Sequence, residues 1–394
     1  MRAPGGSLLK MSRRNLLLGG LGLAGLGLGA NQSHILFGSS LSNQDNGLDL
    51  WGSICSLPKN SSAGDANGYD AAVSGFIPRV LFFKGQDVWS LDLPLQGHVV
   101  QQNPYHPEQM IILNRRGPSG VELHFGQRKI KSVFTAGEGR VFLGHCLFLP
   151  DGETYALAEF RRADRNNFLV HRRISDHKIV RELPIEQMLP HQLLIDPVSK
   201  HIWVPSMGSA VENQRVSTSE KQDFSLPHIC LRDLETNRLE DVIFFQRTGS
   251  VGPKHLANMQ ELGLIALGGS IDSHSFVARI WRDKKGLRQL GGHQPLPGEA
   301  LSLAFSSDQV VYASFPSANR VVAFDGSSMK VLRELKIPSP MGMHRMQNGE
   351  IWVASEGYPH NISVIRNLEV IGSVNLGLRA NERFGAHFEF LESV

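Results

Sequence analysis

The sequence has few of the features that most often identify a function. Among 394 residues there are three cysteines, Cys55, Cys146 and Cys230, and no CxxC pair. They form neither a zinc motif nor a disulfide framework, although one disulfide among the three stays open. No HExxH, GxSxG, Walker A or dinucleotide-binding motif occurs in a suitable context. The sequence therefore carries no signature of the enzyme classes that these motifs identify.

Acidic residues are missing from the start of the chain, where none precedes Asp45. A twin arginine, Arg13-Arg14, is followed there by a stretch of Leu, Gly and Ala that ends at Ala30. This combination is typical of a Tat-type export signal and predicts a periplasmic protein. The apolar stretch, about 15 residues long, is shorter than the ~20 residues that a membrane helix needs. Cleavage after Ala30 and retention as an anchor both stay open, and the membrane is an expected partner only if the signal is uncleaved.

The chain also lacks a strong excess of charge of either sign. Its formal net charge is +3, but residues 1–30 contain four basic residues and no acidic one, so the remainder carries −1. A chain with so little net charge has no electrostatic footprint for nucleic acid, which is excluded as an expected partner. The hydrophobic content of 41% is ample for a sizeable core.

What the sequence does contain is a histidine that recurs near the start of a short β-like run. The intervals between successive members are 47, 46, 64, 89 and 43 residues. The histidines are His98, His145, His191, His255, His344 and His387. The longest interval spans about two periods, and Ser302 lies in the histidine position at its middle. A period of about 40–50 residues with several short strands is typical of a β-propeller. The sequence thus predicts an all-β, seven-bladed β-propeller of the WD40/YVTN-like type.

The two ends of the chain predict how this ring closes. The seventh repeat has only its first strand, at 386–391, before the sequence ends. Three further strand patterns lie near the other end, at 71–74, 79–84 and 88–93. Pairing of the N-terminal strands with the C-terminal strand would complete the last blade and remove free sheet edges.

The domain organisation follows from these assignments. We expect a signal peptide at 1–30, a mostly irregular leader at 31–68 and a single propeller domain at 69–394. A long insertion at 206–227 explains the 64-residue interval and is expected to form a loop on one face. In the sixth repeat the predicted strands are 343–346, 350–355, 361–366 and 368–374.

The repeat also predicts a site. The first strand of each blade lines the central channel, so the six histidines should crowd one channel mouth as candidate metal ligands. The second strand is antiparallel to the first and returns to the same face. The end of the second strand should therefore bring further polar groups to the rim of this funnel, namely Arg115, Arg116, Glu159, Ser206 and Glu356. The candidate ligand-binding residues are Arg115, Glu159 and Glu356 of this rim, together with Ser302 from the histidine position. The remaining histidines, such as His34, His106, His124 and His171, are predicted to be surface or loop residues.

Three interpretations of the histidines stay open. Each imidazole could simply donate a hydrogen bond to a neighbouring blade, in a protein-interaction scaffold. Neutral imidazole is also the commonest ligand of Zn, Cu and Fe. Metal–nitrogen bonds of about 2.0–2.1 Å would let two to four neighbouring histidines reach one ion but not all six. His98, His145 and His191 come from three successive repeats and form an uninterrupted arc of the ring. In the third interpretation His and Arg115 hold a small anionic or polyhydroxylated ligand, with hydrolase or lyase-type catalysis by a His–Glu pair.

Several short motifs carry a resemblance to a known family. They include Gly97-His98-Val99-Val100, Leu143-Gly144-His145, Pro190-His191-Gln192-Leu193, Lys254-His255-Leu256-Ala257 and Arg383-Phe384-Gly385-Ala386-His387. In this order they resemble the domain-of-unknown-function family 1513 (DUF1513), over most of residues 75–394. The resemblance implies a Tat-exported, periplasmic, seven-bladed propeller without an established activity. Because such proteins are often encoded beside imelysin-like iron-uptake proteins, it also implies a role near iron or another transition metal, with metal-uptake or other periplasmic proteins as partners.

Overall fold

The computed structural model describes residues 49–56, most of 78–375, and 382–384. The stretches of 78–375 that it leaves undescribed are 85–86, 187–188, 197–198, 209–225, 246–251, 260–262, 270–274, 285, 293–297, 307, 347 and 356–360. The described residues form 28 strands and one short 3-10 turn, Pro316–Ala318. Among these residues we find no helix with the length and apolar character needed to span a bilayer.

Six sheets each contain four strands that are consecutive in the chain, and every neighbouring pair is antiparallel. The protein is therefore an all-β propeller, and we number these sheets blades 1 to 6. Their strands are β4 Gly97–Gln102, β5 Gln109–Asn114, β6 Ser119–His124 and β7 Lys129–Thr135 (blade 1); β8 Arg140–Phe148, β9 Thr154–Arg161, β10 Asn166–Arg173 and β11 Ile179–Ile185 (blade 2); β12 Leu194–Ile195, β13 His201–Ser206, β14 His228–Asp233 and β15 Leu239–Phe244 (blade 3); β16 Pro253–Met259, β17 Gly263–Gly269, β18 Ser275–Asp283 and β19 Gly286–Gly292 (blade 4); β20 Leu303–Phe305, β21 Val310–Phe315, β22 Arg320–Asp325 and β23 Val331–Lys336 (blade 5); and β24 Pro340–Arg345, β25 Ile351–Ser355, β26 Asn361–Arg366 and β27 Glu369–Asn375 (blade 6).

The burial of each strand reflects its position in the blade. Strands β5, β13, β21 and β25 are buried along almost their whole length, because neighbouring blades cover both faces of the sheet. The outermost strands β7 and β23 are mostly exposed. Near-continuous apolar runs thus mark the second strands, whereas the outermost strands mix polar residues with exposed apolar ones such as Val133, Val331 and Leu332.

The hydrophobic core lies between blades rather than in one central volume. Ile111 and Leu113 of blade 1 pack in one cluster with Phe142, Tyr155 and Leu157 of blade 2, and all five are fully or almost fully buried. Each such side chain contributes roughly 1.5–3 kcal/mol through burial. These interfaces fix the angle between adjacent blades and thereby the positions of the first strands.

A further four-stranded sheet combines both ends of the described chain. Its order is β28-β1-β2-β3, with β1 Asp49–Ser56, β2 Arg79–Lys84, β3 Asp87–Asp92 and β28 Glu382–Phe384. Strand β1, the second strand of this sheet, contacts β4, the first strand of blade 1. In the same way β5, the second strand of blade 1, contacts β8, the first strand of blade 2. The predicted count of seven blades is corrected to six built from consecutive strands, because the remaining sheet depends on strands from distant parts of the chain.

Several strand assignments also differ from the prediction. The innermost N-terminal strand of this last sheet is Asp49–Ser56, which lies in the segment predicted to be irregular, and not 71–74. Strand 386–391 lies outside the described residues, as does most of the 206–227 insertion. The four strands predicted for the sixth repeat lie within three residues of β24 to β27 at every boundary.

Candidate functional site

Consecutive blades bring four of the predicted histidines together. His98 and His145 lie in the first strands of blades 1 and 2, His191 precedes β12 of blade 3, and His255 lies in β16 of blade 4. All four are buried. We call this group the histidine cluster. The repeat, at a spacing of 46 to 64 residues, thus brings these side chains into contact along the inner strands of adjacent blades.

The imidazoles of the cluster are in direct contact with one another. The Nε2 atoms of His98 and His191 are 3.4 Å apart. One ring nitrogen from each of His98, His145 and His191 lies within 4.8 Å of the other two. His255 adds a fourth ring, with its centroid 4.9 Å from that of His191 and 5.6 Å from that of His145. Neighbouring rings of the cluster meet edge to face at these separations.

Bulges in the first strands aim these side chains. The register with the second strand shifts between Gly97 and Val100 around His98, and between Phe142 and Cys146 around His145. In the second bulge Gly144 has a φ of +101°, and a Cβ atom at this position would lie 2.3 Å from Cδ2 of His98. Only glycine permits this approach, because it has no Cβ and adopts positive φ freely. The sequence shows a glycine directly before His145, but nothing in the sequence indicates its contact with His98.

Hydrogen bonds between blades hold the strands beside the cluster. The amide N–H of Cys146, next to His145, donates to Oε1 of Gln101 in blade 1. The N–H of Leu256, next to His255, donates to Oε1 of Gln192 at 2.9 Å. Each bond joins a residue beside one histidine to the inner edge of the preceding blade, so the cluster is set by the packing of whole blades.

Ser302, which occupies the histidine position of blade 5, also takes part in a hydrogen bond between blades. Its hydroxyl accepts a 2.9 Å hydrogen bond from the N–H of Met343 in blade 6, while its own N–H donates to the Ser314 hydroxyl at 3.0 Å. The predicted ligand-binding residue Ser302 thus joins blades 5 and 6.

The environment of His145 favours the neutral imidazole. Burial, together with the nearby positive charge of Arg115, lowers the pKa of His145 to about 3. At neutral pH one of its two ring nitrogens therefore carries no proton and has the lone pair that binds a metal. Arg115 follows the end of β5, where Asn114 pairs with Gly97 beside His98, so it lies at the face predicted from the strand topology.

Glu159 is placed differently from the prediction. It is fully buried, and its carboxylate accepts a 2.7 Å hydrogen bond from Arg172 and another of 3.1 Å from the N–H of Gly137. A second guanidinium, that of Arg140, lies 3.6 Å away. Glu159 is thus an interior charge of blade 2, and its oxygens are engaged there rather than at the imidazoles. The His–Glu pair of the enzyme interpretation has no support from this residue.

Of the other predicted metal ligands, the structure describes His344, in β24 of blade 6. His344 is partly buried and lines a cavity of about 410 Å³ with Leu303, Phe305 and Arg345, and burial lowers its pKa to about 4. His387 and Glu356 lie outside the described residues. The arc of neighbouring blades, rather than the whole ring, therefore forms the described site.

Two further histidines, His171 and His177, are buried in blade 2. His171, predicted to be on the surface, is buried in β10. His177 stacks on Phe134 and lies 3.0 Å from both Glu122 and the hydroxyl of Tyr155. Burial would raise the pKa of Glu122, but hydrogen bonds from His177, Lys131 and Gln109 lower it to about 2. This buried network joins blades 1 and 2 away from the cluster and has no sequence motif.

Comparisons with solved structures find a similar fold in proteins of different kinds. The Kuenenia stuttgartiensis hydrazine synthase is 12% identical with a TM-score of 0.57, and the match covers 74% of this chain and 90% of that chain. The Saccharomyces cerevisiae Sqt1 is 12% identical with a TM-score of 0.51, over 85% and 87%. The Myceliophteria thermophila Cps50 (Swd1) beta-propeller domain is 10% identical with a TM-score of 0.53, over 73% and 90%. At such low identity these similarities show the fold alone.

A search of curated proteins found no match. A family model described as "Protein of unknown function (DUF1513)" matches residues 91–375. This range runs from the end of β3 to the end of β27 and so contains all six consecutive blades. Because the match covers more than two thirds of the sequence, the chain belongs to the DUF1513 family.

Proposed function

We propose that this protein is an exported propeller that binds a transition metal ion through His98, His145 and His191, with His255 as the adjacent fourth imidazole. The observation that carries the proposal is the mutual approach of three ring nitrogens within 4.8 Å, at the ends of three separate sheets. Such a group of buried, neutral nitrogen donors suits Zn, Cu or Fe better than it suits Mg or Ca, which prefer oxygen.

The distances agree with this proposal. Two nitrogens bound to one tetrahedral ion at about 2.0–2.1 Å are roughly 3.3–3.4 Å apart. The Nε2 atoms of His98 and His191 are separated by 3.4 Å. The separations within the group extend to 4.8 Å, so binding of one ion would draw the ring nitrogens together by up to about 1.4 Å.

A second candidate function is a protein-interaction scaffold in which the histidines are structural. The same 3.4 Å separation also fits a hydrogen bond between two neutral imidazoles, one donating and one accepting. In that case the cluster would only fasten blades together, and a flat face of the propeller would bind another periplasmic or metal-uptake protein.

Metal binding separates the two candidates. We expect protein purified from the periplasm without an affinity tag to bind one Zn, Cu or Fe ion per chain, and a His98→Ala, His145→Ala double variant to lose it. A His106→Ala, His124→Ala double variant is the matched control, because both of its imidazoles line a separate surface cleft beside Glu108. Near-zero occupancy of the wild type after reconstitution with all three metals would leave the scaffold function.

Two further features belong to the same proposal. The sheet β28-β1-β2-β3 would be the seventh blade, and the packing of Val80 and Phe82 against Met110 and Ile112 of blade 1 supports this. Export through the Tat pathway would deliver the folded protein to the periplasm. Replacement of Arg13 and Arg14 by lysine should retain the protein in the cytoplasm, which fractionation would measure.

A further inference from the structure

Arginine side chains gather next to the histidine cluster. Arg115 and Arg116 follow β5, and Arg162 follows β9, so all three lie where the second strands of blades 1 and 2 end. The guanidinium of Arg162 donates a 3.0 Å hydrogen bond to the carbonyl of Arg116. Arg115 and Arg162 are both near enough to Arg116 to lower its pKa together with burial. We call these three residues the arginine group.

The backbone of the loop that carries Arg115 and Arg116 is fixed against the strand that carries His145. The N–H of Arg116 donates to Oδ1 of Asn114 at 3.3 Å, which forms a turn at the end of β5. The carbonyl of Gly117 accepts a 2.9 Å hydrogen bond from the N–H of Phe142, three residues before His145. The loop between β5 and β6 therefore lies on β8. Arg115 in this loop is exposed, follows Asn114, which pairs with Gly97 beside His98, and lies near enough to His145 for its charge to act on that imidazole.

A metal bound to this cluster would need a negative charge from elsewhere. The ligand group among the described residues, His98, His145 and His191, consists of imidazoles, which are neutral when they bind a metal. A divalent ion would thus bring two positive charges into a buried site beside Arg115. Uncompensated charge in such a place is strongly unfavourable, as it is when one partner of a buried ion pair is removed.

We propose that the histidine cluster binds its metal together with an oxyanion, a carboxylate or a phosphate group, which takes an open coordination position and is held by Arg115, with Arg116 and Arg162 beside it. This inference rests on the proposed metal binding and specifies the ligand class of the same site. Three protein ligands leave a fourth position open on a tetrahedral ion. The planar guanidinium matches carboxylate and phosphate oxygens with paired hydrogen bonds, and it would neutralise the anion on the side away from the metal.

The test is the thermodynamic coupling between metal and anion. Calorimetry would measure Zn²⁺ affinity, expressed against free Zn²⁺, in a buffer without coordinating anions and again with inorganic phosphate or with acetate. We expect one of the anions to raise the Zn²⁺ affinity of the wild type by about 10-fold, within the usual range for coupled sites. Coupling to phosphate alone, or to acetate alone, would support the proposal and identify the natural class.

The Arg115→Gln variant shows whether the coupling between metal and anion depends on Arg115. Without anion it should bind Zn²⁺ at least as tightly as the wild type, because a repelling cation has been removed. With anion the coupling should fall to about 2-fold or less. Arg161→Gln is the matched control and should keep full coupling, because Arg161 is one residue from Arg162 but its Nε atom pairs with Asp164 at 2.9 Å.

Two results would overturn the inference. Zn²⁺ binding with no response to either anion, or a response that persists unchanged in Arg115→Gln, would refute the anion site and leave the metal site standing. Failure of the wild type to bind Zn, Cu or Fe under every condition would refute the proposed function itself, and this inference with it.

Discussion

Replacement of Gly144 by alanine tests whether the histidine cluster depends on the backbone of blade 2. A Cβ atom built on Gly144 would lie 2.3 Å from Cδ2 and 2.8 Å from Cγ of His98. Restoring an ordinary contact of about 3.4 Å requires the His98 ring to move by roughly 1.1 Å. Metal–ligand distances hold to within about ±0.2 Å, and the added Cβ atom would keep the His98 ring from returning to such a position. The substitution should therefore displace His98 from any ion shared with His191.

Two effects of this change can be given magnitudes. Alanine at a φ of +101° adds strain of about 1–3 kcal/mol, which lowers the free energy of unfolding without metal. Displacement of His98 should reduce Zn²⁺ affinity by at least 10- to 100-fold, the loss usual when the support of one ligand is removed. That range corresponds to about 1.4–2.8 kcal/mol of binding free energy.

Gly139→Ala is the matched control for the backbone strain. Gly139 has a φ of +67°, and a Cβ atom there meets nothing within 4 Å. Both variants should unfold at lower temperature than the wild type, but only Gly144→Ala should lose Zn²⁺ affinity in calorimetry. Adding His98→Ala to Gly144→Ala should recover part of the stability, because the obstructing ring is gone. A folded Gly144→Ala protein that binds Zn²⁺ like the wild type would refute the reasoning.

Three further predictions concern residues outside the cluster. Glu159→Gln should lower the free energy of unfolding by about 3–5 kcal/mol in urea, because it leaves Arg172 buried without its charged partner, whereas Zn²⁺ affinity stays unchanged; loss of Zn²⁺ binding with normal stability would contradict this. Burial, with Arg181 nearby, lowers the pKa of His171 to about 4 from an ordinary 6.5. The unfolded chain therefore takes up the proton first, and stability that is complete above pH 6.5 should fall by at most about 3 kcal/mol as the pH drops towards 4. His171→Gln should flatten that slope in urea titrations, and an unchanged slope would refute the assignment. Ser302→Ala should remove the acceptor of the Met343 N–H and cost about 1–3 kcal/mol, whereas Ser302→Thr should retain the bond; hydrogen exchange at Met343 would measure the difference, and equal protection in both variants would contradict it.

Much of the fold was predictable because a propeller repeats a local pattern. In blade 6 the apolar run Ile351–Ser355 and the turn before it, with Gly349 at a φ of +83°, lie where the sequence predicts them. The terminal sheet was harder to predict. Strand Asp49–Ser56 has a mixed sequence and is a strand because β2 and β28 pair with it on both sides. Pairing over more than 300 residues depends on the closed shape and not on local preference.

The site was predictable to the extent that it follows the repeat. His98, His145, His191 and His255 have equivalent positions in adjacent blades, so spacing was enough to bring them together. Glu159 has a similar place near the end of a second strand, yet its side chain points into blade 2, where Arg172 binds it. Strand alternation and bulges decide such orientations, and a shift of one residue reverses them.

By itself, the sequence determined that this chain would form a β-propeller and that one imidazole would recur in the first strand of most blades, since both depend on a period that survives in the residues. Only the tertiary structure decided which imidazoles touch. Ring contacts depend on the angle between blades, on the bulge at Gly144 and on bonds such as that from Leu256 to Gln192, and all of these arise from packing between sheets far apart in the chain.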